Sequence, residues 1–194
     1  MISVFLDTTN QYLFVAIQKN QQIIDKIQIW NHQKHTEKAV SIIDEMLASH
    51  DLNWFSVNNL YLSIGPGSYT GIRVGITIAK TWKTISDTLK VYVTNSLLLQ
   101  TGANKAISVI DAKSNKYFIA VYENLQRLVH EQVVNASNLI LIKKEWTKFQ
   151  LIEDYHQVDL AKNFLQVKHL AKLVNDVDNL EPLYLKVLEF GKQK

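Results

Sequence analysis

The chain predicts an α/β protein built by internal duplication, with an abbreviated second copy, and three observations carry this expectation. First, residues 2–17 are echoed by residues 107–121, each reading strand, aspartate, polar turn, strand, with Asp7 and Asp111 at equivalent places. Second, residues 65–75 read Gly-Pro-Gly-Ser-Tyr-Thr-Gly-Ile-Arg-Val-Gly and hold four of the six glycines and one of the two prolines. They separate an apolar strand from a run with helical spacing, so they form a strand-to-helix corner. Third, the stretch after the second hairpin is too short for a full repeat of the first half.

In the first half, the opening hairpin is followed by a third strand over residues 22–29 and a helix over residues 36–49, with Ala39, Ile42, Ile43, Met46 and Leu47 on one face. A strand ends at Ile64. At the corner, glycine supplies positive φ or close backbone approach, proline presets φ, and Ser68 or Thr70 caps the next helix, which runs from Gly71 to about Asp87. A strand at residues 91–93 and a helix capped by Thr94 or Asn95 and ending near Gln100 complete the half. The boundary falls near residues 102–105, dividing the chain into 1–103 and 104–194. The second half offers its hairpin, a middle without clear pattern, and an amphipathic helix over residues 159–175 buried through Leu160, Phe164, Leu165, Leu170 and Val174.

Composition excludes several classes. With 47% hydrophobic residues in 194, the chain can bury a sizeable core. No apolar run is long enough for a membrane span and the N-terminus lacks the basic flank of a signal peptide, so a cytoplasmic location and no membrane partner are expected. The absence of cysteine removes disulfides, thiolate metal sites and cysteine nucleophiles. A formal charge of +3 with scattered lysines does not mark a nucleic-acid module.

The corner could receive an anion, because free amides and the positive end of a helix dipole meet there, making Gly67 and Ser68 candidates together with Asp7, Thr8 and Asp111. It is neither a Walker A loop nor Gly-x-Gly-x-x-Gly. Ser68 is not on a nucleophile elbow, since Pro66 and Thr70 flank it where glycines belong. Asp7 and Asp111 read either as caps of their own turns or as paired carboxylates. His32 and His35, with Glu37 nearby, lack a third ligand, and His50, His130, His156 and His169 are isolated, so no metal site and no catalytic residue is assigned.

The helix from Gly71 is apolar over most of its circumference. Gly71, Gly75 and Ala79 form a smooth stripe, Ile72, Val74, Ile76, Ile78, Trp82 and Ile85 cover much of the rest, and Arg73, Thr77, Lys80 and Thr84 make a narrow polar strip. Interior glycine costs about 0.8–1 kcal/mol relative to alanine, so Gly75 needs a packing reason. Its own sheet covers one side. Either the helix at 36–49 covers the other, or another subunit does, through Gly71, Ile72, Arg73, Val74, Gly75, Ile78 and Ala79 with Ile42 and Met46.

The corner resembles the Gly-Pro-Gly-Ser-Phe-Thr-Gly-x-Arg-Ile-Gly signature of the TsaB (YeaZ) family, with Tyr69 for phenylalanine and Val74 for isoleucine. Leu6-Asp7-Thr8-Thr9, His35-Thr36, Asp111-Ala112-Lys113 and Glu181-Pro182-Leu183-Tyr184-Leu185-Lys186 match further family motifs in order. Lys113 and Lys186 stand where the family usually has arginine, keeping charge but losing the planar fork. The resemblance implies a duplicated actin-like (ASKHA, ribonuclease H-like) fold. It also implies a non-catalytic scaffold and activator in making threonylcarbamoyladenosine in tRNA, partnered by a TsaD-type transferase and a TsaE-type ATPase, with tRNA reached through the complex. It implies no cofactor of its own, room for a nucleotide at the partner boundary, and a homodimer when alone, and it favours the subunit-interface reading of the apolar helix. The alternative is a small actin-like ATPase or sugar-kinase relative using Asp7 and Asp111. Against this, the only glycine after residue 103 is Gly191, so an adenosine-gripping loop is missing. Lack of a zinc motif and of a serine elbow rejects a peptidase.

Overall fold

The computed structural model describes residues 1–30 and 35–185, with the side chains of 35–37 outside that description. The first half contains β1 (Ile2–Asp7), β2 (Tyr12–Lys19), β3 (Gln22–Trp30), α1 (His35–Ala48), β4 (Asn59–Ser63), α2 (Tyr69–Ile85), β5 (Lys90–Thr94) and α3 (Ser96–Thr101). The second contains β6 (Ala106–Lys113), β7 (Lys116–Glu123), β8 (Gln126–Asn135), α4 (Ala136–Glu145), β9 (Gln150–Glu153), α5 (Leu160–Val167) and β10 (Lys172–Leu173).

The duplication is written in the sheets. The larger has the order β10-β5-β4-β1-β2-β3 and the smaller β8-β7-β6-β9. In each, the hairpin and third strand are antiparallel, and a helix returns the chain to a strand parallel with the first, β4 beside β1 and β9 beside β6. Among the described residues the smaller sheet has no counterpart of β5, so the second copy is abbreviated. The middle without clear pattern resolves into β8, α4 and β9.

Strand alternation sorts the core into layers. Val4, Leu6, Leu13, Val15 and Ile17 point from one face of the larger sheet into a cluster with α1 and α2. Phe5, Phe14 and Ala16 point from the other face into a cluster shared with α3, α5 and the inner face of the smaller sheet. There the Phe164 ring lies 5.1 Å from Phe5 and 5.5 Å from Phe14. Each such fully buried side chain contributes about 1.5–3 kcal/mol, and this middle layer joins the two sheets. Ile107, Val109, Ile119 and Val121 make a third cluster beneath α4.

Side-chain caps fix the starts of α2 and α3. Ser68 Oγ accepts from Gly71 N at 3.2 Å at the start of α2, and Asn95 Oδ1 accepts from Leu98 N at 2.6 Å at the start of α3.

The expected helix over 159–175 is a correction: α5 ends at Val167, a tight turn spans Lys168–Leu170, and the chain then adds β10 to the edge of β5. Val174 N donates to Val91 O at 2.9 Å. Pairing with an open sheet edge outweighs a local helical pattern whose apolar stripe has already run out, Leu170 being 44% exposed.

Past β10 the chain forms an arm along α2. Val177 is buried, Val174 and Leu180 pack on the same cluster, Lys80 Nζ donates to Asp178 O at 2.6 Å, and Leu183 N donates to Ile64 O at 2.9 Å. With α1 on its other flank, α2 is covered by its own chain except for a strip through Tyr69, Thr70, Arg73, Thr77, Thr81, Thr84 and Ile85. Among the described residues no helix is long and apolar enough to cross a membrane.

Candidate functional site

The glycine-rich corner and the first hairpin meet backbone to backbone. A Cβ on Gly71 would lie 1.9 Å from Thr8 O, and one on Gly67 would lie 2.1 Å from Thr9 O. Thr8 Oγ1 donates to Gly71 O at 2.7 Å, and Ser68 N donates to Thr9 O at 2.6 Å. The glycines therefore admit the Thr8-Thr9 turn onto the first turn of α2. A carbonyl of the chain itself takes an amide that an anion would otherwise use.

This corrects the physical basis of the docking stripe. Gly71 faces Thr8, and a Cβ on Gly75 would meet Thr8 Oγ1 at 2.8 Å and Leu62 Cδ1 at 2.9 Å, so the stripe is filled from within. Ile72, Ile78, Ala79 and Met46 belong to the chain's own core. Arg73 is exposed, and Val74 and Ile42 are half-buried.

Asp7 and Asp111, equivalent in topology, sit in unlike environments. Asp7 is fully buried; its Oδ1 accepts from Thr9 N and from Thr9 Oγ1, each at 2.7 Å, and Asn10 Nδ2 lies 3.4 Å from Oδ2. Burial pushes its pKa up, and the two Thr9 donors oppose that. Behind it a chain of hydroxyls continues from Thr9 Oγ1 to Ser96 Oγ at 2.9 Å and on to Ser63 Oγ at 2.9 Å. Tyr155 closes the network by donating to Ser96 O at 3.0 Å, and burial together with the Asp7 carboxylate pushes the Tyr155 hydroxyl well up.

Asp111 is partly exposed. It accepts from Lys113 N at 2.8 Å and pairs with Lys113 Nζ at 2.7 Å, and that ammonium holds its pKa below the usual carboxylate range. Both aspartates cap their own turns. Asp111 lines the cleft between the hairpins, whereas Thr9, Asn10 and Gln11 line it in place of Asp7.

That cleft measures about 490 Å³. Gly67, Ser68 and Tyr69 complete its first wall, and Ile110, Asp111, Ala112, Lys113, Phe118 and Asp154 form the second. Asp154, whose Oδ1 accepts from Asp111 N at 2.9 Å, and Phe118 were not singled out from the sequence, because no motif surrounds either. Ser68 Oγ is spent on its cap. Among the described residues no group of three or more histidines and carboxylates could hold a metal ion. His32 and Lys186 lie outside the described residues, as does the side chain of His35.

A repeated β-β-β-α-β unit with a cleft between its two hairpins defines an actin-like protein. The family described as "TsaD: tRNA N6-adenosine threonylcarbamoyltransferase" matches residues 29–180. The MG208 homolog of Mycoplasma pneumoniae is 30% identical over 185 residues, covering 94% of this chain and 93% of that protein. The tRNA threonylcarbamoyladenosine biosynthesis protein TsaB of Bacillus subtilis is 27% identical over 143 residues, 70% of this chain and 61% of that one. Two YeaZ-type crystal structures from Pseudomonas aeruginosa superpose with TM-scores of 0.74 and 0.72 at 15% and 14% identity, each covering 95% of this chain and 99% of the other. The chain belongs to the threonylcarbamoyltransferase-related family that the first match describes, and within it to the TsaB (YeaZ) proteins.

Proposed function

We propose that this chain serves the formation of threonylcarbamoyladenosine in tRNA as a non-catalytic scaffold and activator that pairs with a TsaD-type transferase. A TsaE-type ATPase joins the pair, and tRNA is reached through the assembly. The observation that carries the reading is the filled corner: Thr9 O occupies the Ser68 amide and Asp7 is sealed beneath its own turn. A nucleotide-hydrolysing relative needs both places free for phosphate, metal and water. The names of the relatives supply the pathway.

Docking falls to the exposed strip of α2 and its borders, with Arg73 held 4.1 Å over the Tyr69 ring and Val74 and Ile42 alongside. Tyrosine and arginine are the residue types that most often anchor interfaces. The same strip brings two copies together when the partner is absent. The reading is tested by reconstituting tRNA modification from purified components with and without the chain. Modification should collapse in its absence; a mixture fully active without it removes the proposal.

A further inference from the structure

We propose that Arg73, held by Tyr69 and by Tyr184 of the arm, is the receptor for a single carboxylate on the docking partner, and that Tyr184 is the positioning residue that readies it. This rests on the proposed docking through α2 and names what the strip reads there. The chain is rich in lysine and has two arginines, Arg73 and Arg127. Arg127 is paired with Glu131 at 2.9 Å. Among the described residues no carboxylate pairs with Arg73, which stands exposed.

Its guanidinium is nevertheless held in place. It lies 4.1 Å over the centre of the Tyr69 ring. The Tyr184 ring stacks on Tyr69 at 6.0 Å with 22° between the planes, and the Tyr184 hydroxyl, ahead of the other groups nearby, favours the charged form of Arg73. Tyr69 is fixed as the first residue of α2. Tyr184 is fixed because the arm before it is tied down: Val177 is buried, Lys80 Nζ donates to Asp178 O at 2.6 Å, and Leu183 N donates to Ile64 O at 2.9 Å. A long side chain so placed has given up rotamer freedom before a partner arrives, which lowers the cost of binding. Its planar fork meets a carboxylate with two parallel hydrogen bonds. The two rings, each more than half exposed, supply the apolar border that keeps water from such a pair.

RNA phosphate is the other anion that a guanidinium takes, and the charge pattern argues against it. Helix α2 carries no acid and three cations, Arg73, Lys80 and Lys83. Lys80 Nζ is spent on Asp178 O, and Lys83 Nζ on Asp87 O and Leu89 O. The arm alongside carries Asp176, Asp178 and Glu181. A phosphate backbone is gripped by many cations at once, whereas here one disengaged cation shares its border with three acids. A lone fork bordered by rings fits one carboxylate on a folded protein surface.

The Arg73 Nε–H resonance of the full chain is followed by nuclear relaxation, and affinity for a TsaD-type transferase is measured for the parent, Tyr184→Ala and Arg73→Lys. The resonance should be as ordered as the backbone in the parent and mobile in Tyr184→Ala, a change that a merely structural role for the ring would not produce. Tyr184→Ala should weaken the complex by about two- to ten-fold, the cost of ordering one long side chain, and Arg73→Lys by about ten-fold through loss of the fork. One carboxylate-to-amide change on the transferase should cost the parent about ten-fold and Arg73→Lys much less. With the complex formed, the proposal is overturned if the resonance is mobile in the parent, if Tyr184→Ala leaves it ordered, or if no carboxylate change on the transferase couples to Arg73. It is equally overturned if tRNA alone shifts the resonance and the transferase does not. A parent that forms no complex removes this proposal and the docking reading together.

Discussion

Gly71→Ala separates two explanations of the glycine-rich corner. If the glycine exists to receive another subunit, alanine there should raise monomer stability by about 1 kcal/mol through helix propensity and weaken only association. The structure predicts the opposite. The new methyl would sit 1.9 Å from Thr8 O and 3.0 Å from Thr8 C, backbone atoms that cannot swing aside as a side-chain end would. The hairpin turn must lift, at the cost of overpacking strain of about 1–3 kcal/mol. It also loses the buried Thr8 Oγ1 to Gly71 O bond of 2.7 Å, which contributes about 1 kcal/mol. After the propensity gain, the net loss is about 1–3 kcal/mol, or roughly 2–12 °C in the thermal midpoint for a chain of this size. Calorimetry of the isolated protein reads this directly. An unchanged or higher midpoint, with association lost instead, would refute the reasoning. Gly75→Ala supplies the contrast: its methyl meets only the ends of Thr8 and Leu62 side chains, so it should cost less than Gly71→Ala.

Two further predictions concern the buried network. Burial holds the Asp7 pKa above its ordinary 3.8, so the native state binds a proton more tightly than the unfolded chain, and this residue's contribution to stability falls as pH rises from about 4 toward the folded-state value. Asp7→Asn should therefore gain stability relative to the parent across that window in urea titrations at stepped pH; a difference that does not change with pH contradicts it. Tyr155→Phe leaves the buried Ser96 carbonyl without its donor and should cost about 1–3 kcal/mol in the same assay, whereas a neutral effect would mean the hydroxyl does not bind the halves together.

Local chemistry made much of this fold legible. The hairpin echo foretold a duplication in which each half opens on its own hairpin, because strand, aspartate and turn are all local signals, and for the same reason the caps were narrowed to Ser68 or Thr70 and to Thr94 or Asn95, of which the fold uses Ser68 and Asn95. What escaped depends on distant partners. The glycines announced a close approach, but only the folded chain shows that Thr8 and Thr9, some sixty residues earlier, are what approaches. Gln100 reads as the end of a short helix, yet its amide donates to Val109 O at 3.1 Å and Ile152 O at 3.0 Å and accepts from Tyr155 N at 2.6 Å, tying α3 to the smaller sheet. The arm over α2 was hidden because its apolar residues Val174, Val177, Leu180 and Leu183 recur every third position, which matches neither the two-residue period of a strand nor a full helical stripe. Asp154 and Phe118 reach the cleft through β9 and β7, placements that follow from sheet order and from no motif.

In the proposed function this chain works by docking a transferase through the exposed strip of α2. Mixing it with a TsaD-type protein and weighing the product by analytical ultracentrifugation tests this most directly, with Arg73→Glu as the matched variant. A one-to-one complex is expected, which the variant, still folded, fails to form. Absence of any complex, or a complex that forms equally well with Arg73→Glu, would contradict it.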